Sequence, residues 1–193
     1  MGNRKRKVIK TNQERRDGDF DCYTFAEMMK LAQIRGLIEG RQYDEALREC
    51  DILLGETSET NLDVLRVRSY GLARSGNFYR SVEDHRTICA SNEATMKDYY
   101  KAGFDALYAG EFATAIEWFQ EVLRLGDEQN DEYFKSASLF YLSYAFMEVS
   151  NYKDSIHFLN QAVEIESDVA MPIPIVGMCH NSNLRDEIER RCS

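Results

Sequence analysis

Three observations predict an all-α fold built from a repeated helix pair. A short pattern occurs four times, its copies are evenly phased, and the composition suits amphipathic helices. In each copy an aromatic is followed three residues later by Ala or Ser and then directly by an aliphatic. The four sets are Tyr43/Ala46/Leu47, Phe78/Ser81/Val82, Phe112/Ala115/Ile116 and Tyr152/Ser155/Ile156. The aromatics are 35, 34 and 40 residues apart, a period that marks stacked repeats and outranks any local secondary-structure reading. With 44% hydrophobic and 30% charged residues and only two prolines in 193, the chain has the make-up of a helical protein with a real core.

The elements follow in chain order. Residues 1–20 form a basic arm with no apolar stretch behind it, so no secretory signal is expected there. Repeat units are expected at about 24–57, 61–92, 95–127 and 132–167. In each unit the aromatic opens the second helix and packs on the first. One turn on, the small residue lets the two helix axes approach, and Leu53, Ile88, Val122 and Ala162 extend the buried stripe. Trp118 falls beside that stripe, on a partly exposed surface.

The first helices need packing residues at matching offsets. Unit three supplies Tyr99, Ala102, Gly103 and Ala106, and unit four supplies Leu139, Leu142, Ser143 and Phe146. Unit two has Leu65, Ser69 and Leu72, with Arg68 where an apolar residue is expected. Unit one, MMKLAQIRGLIEG, matches least well, as suits an end cap. The longer third gap is absorbed by GDEQNDE, 126–132, read as a lengthened loop. Residues 168–193 carry both prolines, Pro172 and Pro174, in an extended apolar connector. A short capping helix follows around SNLRDEIERR, with Ser182 or Asn183 at its start. That tail either covers the last repeat or lies in the groove as an internal ligand.

These units resemble tetratricopeptide repeats, whose pattern is W-x2-L-G-x2-Y, then A-x3-F, then P. Unit three is the nearest copy, with Tyr99, Ala102, Gly103, Ala106, Ala115 and Phe119; no unit has the terminal proline. The resemblance implies a right-handed α-solenoid of helix-turn-helix repeats whose first helices line a concave, partner-binding face. Its groove-facing positions are then Arg66, Tyr70 and Arg74 in unit two; Lys97, Tyr100, Phe104 and Tyr108 in unit three; and Phe140, Tyr144 and Met147 in unit four. Some members of the family grip a chaperone's terminal carboxylate with Lys, Asn and Arg. At the corresponding positions we read Leu31, Arg35, Val67, Tyr100 and Phe104, so that clamp is not expected here.

Charge and chemistry narrow the function. The net charge of −9 divides into +6 over residues 1–16 and −15 over the remainder, which argues against the body as a duplex-binding surface and favours a partner with a basic face. Five cysteines without short paired spacings read as reduced and cytoplasmic. No phosphate-loop, dinucleotide or zinc-protease string occurs, and Cys179 and His180 lack ligand-spaced partners. The expectation is a non-catalytic interaction module, with no cofactor, metal or membrane span, that binds a peptide or protein in an aromatic groove. Narrower forms are a secretion-type chaperone or a toxin-inhibiting immunity protein. A regulator touching nucleic acid through residues 3–16 is the reading from another class.

Overall fold

The computed structural model describes residues 22–56, 61–129, 134–165 and 181–193. Among them run nine helices and no strand: α1 Cys22–Glu39, α2 Tyr43–Glu56, α3 Leu62–Arg74, α4 Phe78–Cys89, α5 Met96–Ala109, α6 Phe112–Gln129, α7 Lys135–Glu148, α8 Tyr152–Ile165 and α9 Asn181–Cys192. Each packs on the next in sequence, giving the right-handed α-solenoid of antiparallel pairs that the repeat predicts. The four repeated aromatics are the first residues of α2, α4, α6 and α8.

The period is written into the backbone as well as the side chains. Arg41, Gly76, Gly110 and Ser150, each two residues before a repeated aromatic, all adopt positive φ, between 60° and 83°. This left-handed residue ends one helix and reverses the chain into the next. The following amide then reaches back to a carbonyl five residues earlier in every pair: Gln42 to Leu37 at 2.9 Å, Asn77 to Leu72 at 2.8 Å, Glu111 to Ala106 at 2.9 Å and Asn151 to Phe146 at 2.8 Å.

The alternation of Ala and Ser at the close-approach position also has a cause. Where Ser stands, its hydroxyl lies against the partner helix's backbone: Ser81 Oγ is 3.0 Å from the Ser69 carbonyl and Ser155 Oγ 2.7 Å from the Ser143 carbonyl. Both hydroxyls are fully buried, so these contacts offset the loss of hydration that a buried polar group suffers.

Two expectations are corrected. Residues 126–129 are not loop but the last turn of α6, where Gly126 is buried and Arg124 bridges Glu121 and Glu128 one turn to either side. Trp118 is not on the surface: it is 9% exposed, its ring edge-on to His85 at 6.5 Å.

At the C-terminal end α9 caps the last pair. Leu184 and Ile188 are fully buried in one apolar cluster with α7 and α8. Arg191 reaches Glu148 at 3.1 Å and Arg185 reaches Asn160 at 2.6 Å. The helix begins at Asn181, so Ser182 and Asn183 lie inside its first turn. The basic arm and the proline connector lie outside the described residues.

Candidate functional site

Along the inner layer α1 meets α3 and α5 meets α7, whereas α3 and α5 stand apart except where the Arg66–Asp98 ion pair joins them. The space between them is a groove with two compartments, of about 600 and 640 Å³, that share Ser69, Tyr70, His85 and Lys101 on their walls. Seven of the ten residues predicted to face a groove line it: Arg66, Tyr70 and Lys97 in the first compartment, and Tyr70, Arg74, Tyr100, Phe104 and Tyr108 in the second. Phe140, Tyr144 and Met147 do not join them. Each is at most 1% exposed, packed in the apolar cluster that α9 completes with Leu184 and Ile188.

The second compartment has an aromatic floor. Tyr108 stacks on Phe78 at 4.7 Å and tilts against Phe104 at 4.8 Å, while Phe104 meets Tyr141 edge-on at 5.6 Å. Burial pushes the Tyr108 hydroxyl up from the ordinary tyrosine range, and Tyr141 more strongly, so both stay neutral donors. Tyr100 is drawn inward, its ring 4.6 Å from Phe134, 6.1 Å from Phe119 and 6.3 Å from Tyr141. It shapes the floor from behind.

The first compartment is polar, and its acids Glu39 and Asp98 are already engaged. Arg66 donates from Nε and Nη2 to Asp98, both at 3.1 Å, and also to Asp63 and to the Glu93 carbonyl, each at 3.0 Å. Its guanidinium therefore ties α3 to the start of α5 and has little left for a ligand. Asp98 also closes the capping box of α5 with Thr95. Burial alone would raise Asp98, but the bonds from Arg66 and Thr95 outweigh it and hold its carboxyl below the ordinary aspartate range. The stability that this shift contributes is complete above the ordinary aspartate pKa and is lost as pH falls through the lowered one. An Asp98→Asn variant should thus melt below wild type at neutral pH, with the gap closing in acid; a gap independent of pH would contradict the linkage. Tyr70 is fixed in the same way, donating to Glu39 at 2.6 Å.

Three cations on this wall differ. Arg35, Lys97 and Lys101 have neither an ion pair nor a hydrogen bond among the described residues, although they line one compartment. Burial, followed by the nearby charge of Lys97 and more weakly that of Arg35, lowers the Lys101 pKa from its ordinary value. Lys101 was not among the residues singled out from sequence; lying four after Lys97 on a first helix, it shares that residue's face, which is the signal that marks it.

A buried polar knot sits where the compartments join. His85 Nε2 and Ser81 Oγ both face Asp105 Oδ2, at 3.1 and 2.5 Å. Ser and His converge on one carboxylate oxygen and do not bond each other, so the order needed to activate a serine is missing. Among the described residues no cluster of His, Cys, Asp and Glu is arranged to hold a metal ion, and no helix is long and apolar enough to cross a membrane. Cys179 and His180 lie outside the described residues.

Solenoid and helix pairing together give the chain a tetratricopeptide-like repeat fold. No family model matches the chain. A MAU2 chromatid cohesion factor homolog from Aedes aegypti is 22% identical over 136 residues, which cover 66% of this chain; the match spans only 22% of that relative's length. Among solved structures, a MamA protein superposes with TM-score 0.63 at 14% identity, covering 84% of this chain and 86% of its own. YrrB, described as a tetratricopeptide protein with an unusual peptide-binding site, gives TM-score 0.58 at 13% identity over 69% of this chain and 66% of its own. At these identities the structural likeness is one of fold.

Proposed function

We propose that this chain is a non-catalytic, cytoplasmic interaction module that holds a segment of a partner protein along the groove between α3 and α5. The observation that carries this reading is the groove's make-up: two joined compartments, one floored by Phe78, Phe104, Tyr108 and Tyr141 and the other edged by unpaired cations. Rigid aromatic rings offer large contact area at low entropic cost, the usual make-up of an interaction hot spot. With Phe140, Tyr144 and Met147 buried in the apolar cluster, the usable surface runs from α1 to α5 and its edge on α7.

The test uses a random-peptide display library panned on the full chain, with individual binders then measured by fluorescence anisotropy. Phe104→Ala is expected to weaken selected peptides by about tenfold or more, the scale of a hot-spot truncation, while circular dichroism stays that of the folded solenoid. Binding unchanged by both Phe104→Ala and Tyr108→Ala would place the partner surface elsewhere and defeat the reading. A secretion-type chaperone or an immunity protein would be a special case of the same module. The reading through nucleic acid is separated by deleting residues 1–16, after which any nucleic-acid binding should vanish.

A further inference from the structure

The outer body of the protein is acidic, yet its groove is not. Over the whole chain 33 Asp and Glu face 24 Lys and Arg. Inside the groove three carboxylates are spent on internal partners, Asp98 on Arg66 and Thr95, Asp105 on Ser81 and His85, Glu39 on Tyr70, while Glu93 stands exposed at the rim. Among the described residues the uncommitted cations there are Arg35, Lys97 and Lys101 in the first compartment and Arg74 in the second, against the one uncommitted acid Glu93. Lys97 and Lys101 stand one helical turn apart on α5, and Arg35 comes from α1. Burial first, and then the neighbouring charge of Lys97, lower the Lys101 pKa against the pull of Asp98 and Asp105, so some repulsion in this cluster stays unrelieved. An anion entering between the cations would relieve it.

Resting on the groove reading above, we propose that the partner segment carries an acidic side chain held by Arg35, Lys97 and Lys101, and beside it a large apolar or aromatic side chain seated on Phe104 and Tyr108. The two compartments meet at Lys101, so one short extended stretch presents both groups. The two compartments are joined at shared walls, so a bound chain continues from the cations onto the aromatic floor, which suits a side-chain carboxylate. Local charge complementarity thus runs opposite to the net charge: the acidic exterior repels acidic proteins in general, while the groove accepts an acidic residue at one place. Selectivity of this kind comes from the repulsive element as much as from the attractive one.

The display selection described above tests this directly. Peptides recovered on the wild-type chain should be enriched in Asp or Glu within a few residues of an aromatic or large aliphatic residue. For such a peptide, Lys97→Gln with Lys101→Gln should reduce affinity by about tenfold and flatten its dependence on salt. Changing the peptide's acid to its amide should do the same, and the two changes together should cost less than their product. Amidating the peptide's C-terminus should change nothing.

Selection of basic or uncharged peptides that still depend on Phe104 would overturn the proposal while leaving the groove reading intact. So would affinity indifferent to the two lysines. Loss of binding on amidation would replace the side chain by a chain terminus and overturn it too. Peptides indifferent to Phe104 and Tyr108 as well as to the lysines would defeat both readings.

Discussion

Replacing Arg68 with alanine is expected to cost about 3 kcal/mol or more of folding stability, the scale of breaking a buried ion pair from one side. Arg68 occupies the position in α3 where the repeat expects an apolar residue, and it is not an accident of a surface. Its guanidinium donates to both Asp84 oxygens, at 2.9 and 2.6 Å, and to Asp51 at 2.7 Å, joining α3 to α4 and to α2. Asp84 is only 5% exposed, so removing the arginine leaves a carboxylate in the interior without a counter-charge. These bonds, the one to Asp84 first, outweigh burial and raise the Arg68 pKa above its already high ordinary value, which keeps it charged throughout.

The bridge also lies where the core divides. One apolar cluster holds α1 to α3 around Ile34, Ile38 and Val67, and the other holds α4 to α9 around Phe119 and Tyr144. In a repeat array each unit is supported by its neighbours alone, so a weakened junction lets one end open before the rest. Hydrogen exchange in Arg68→Ala should accordingly show the amides of α1 to α3 losing protection ahead of those of α5 to α8. Asp51→Ala, which removes the half-exposed partner, should cost less than about 1 kcal/mol. The double change Arg68→Leu with Asp84→Leu, which replaces the charges with apolar bulk, should recover much of the loss. If Arg68→Ala melts with wild type, the bridge contributes no net stability.

How far the sequence foretold these features depends on whether a feature is periodic. Helix starts at Tyr43, Phe78, Phe112 and Tyr152 were legible because packing imposes the same residue class at each repeat, and four phased copies are hard to mistake. The residues of α3 and α5 that line the space between these helices follow the same phase. What escaped is what each unit does differently. Arg68 read as a flaw because its partner, Asp84, is sixteen residues away on another helix and no periodic rule pairs them. Trp118 read as surface because its cover, His85, comes from the neighbouring unit. Phe140, Tyr144 and Met147 hold groove positions by phase, yet α9 lies beyond the last repeat and breaks the phase that located them. A net charge summed over 193 residues, likewise, does not tell which carboxylates are already paired.

Gly103→Ala is the second substitution with a large expected effect, about 2 kcal/mol, the usual scale of overpacking a filled core. A methyl group at Gly103 would meet the ring of Phe119 at 2.8 to 2.9 Å, closer than side chains approach one another, and the obstruction is the ring itself. The ring has nowhere to retreat. Phe119 is fully buried, stacked on Tyr141 at 5.5 Å and edge-on to Tyr100 at 6.1 Å, so any shift passes to the groove floor. Unit four shows the compatible alternative: it carries Ser143 where unit three has Gly103, and Leu159 where unit three has Phe119, both buried. Glycine and phenylalanine are therefore a matched pair, the one giving up the volume that the other takes. The double variant Gly103→Ser with Phe119→Leu should be more stable than the sum of its single changes predicts, by about 1 kcal/mol or more, the scale of coupling between touching core residues. Thermal unfolding of the four species in one buffer decides it: additive losses would mean that the two residues do not share the space, and the contact drawn here between α5 and α6 would be wrong.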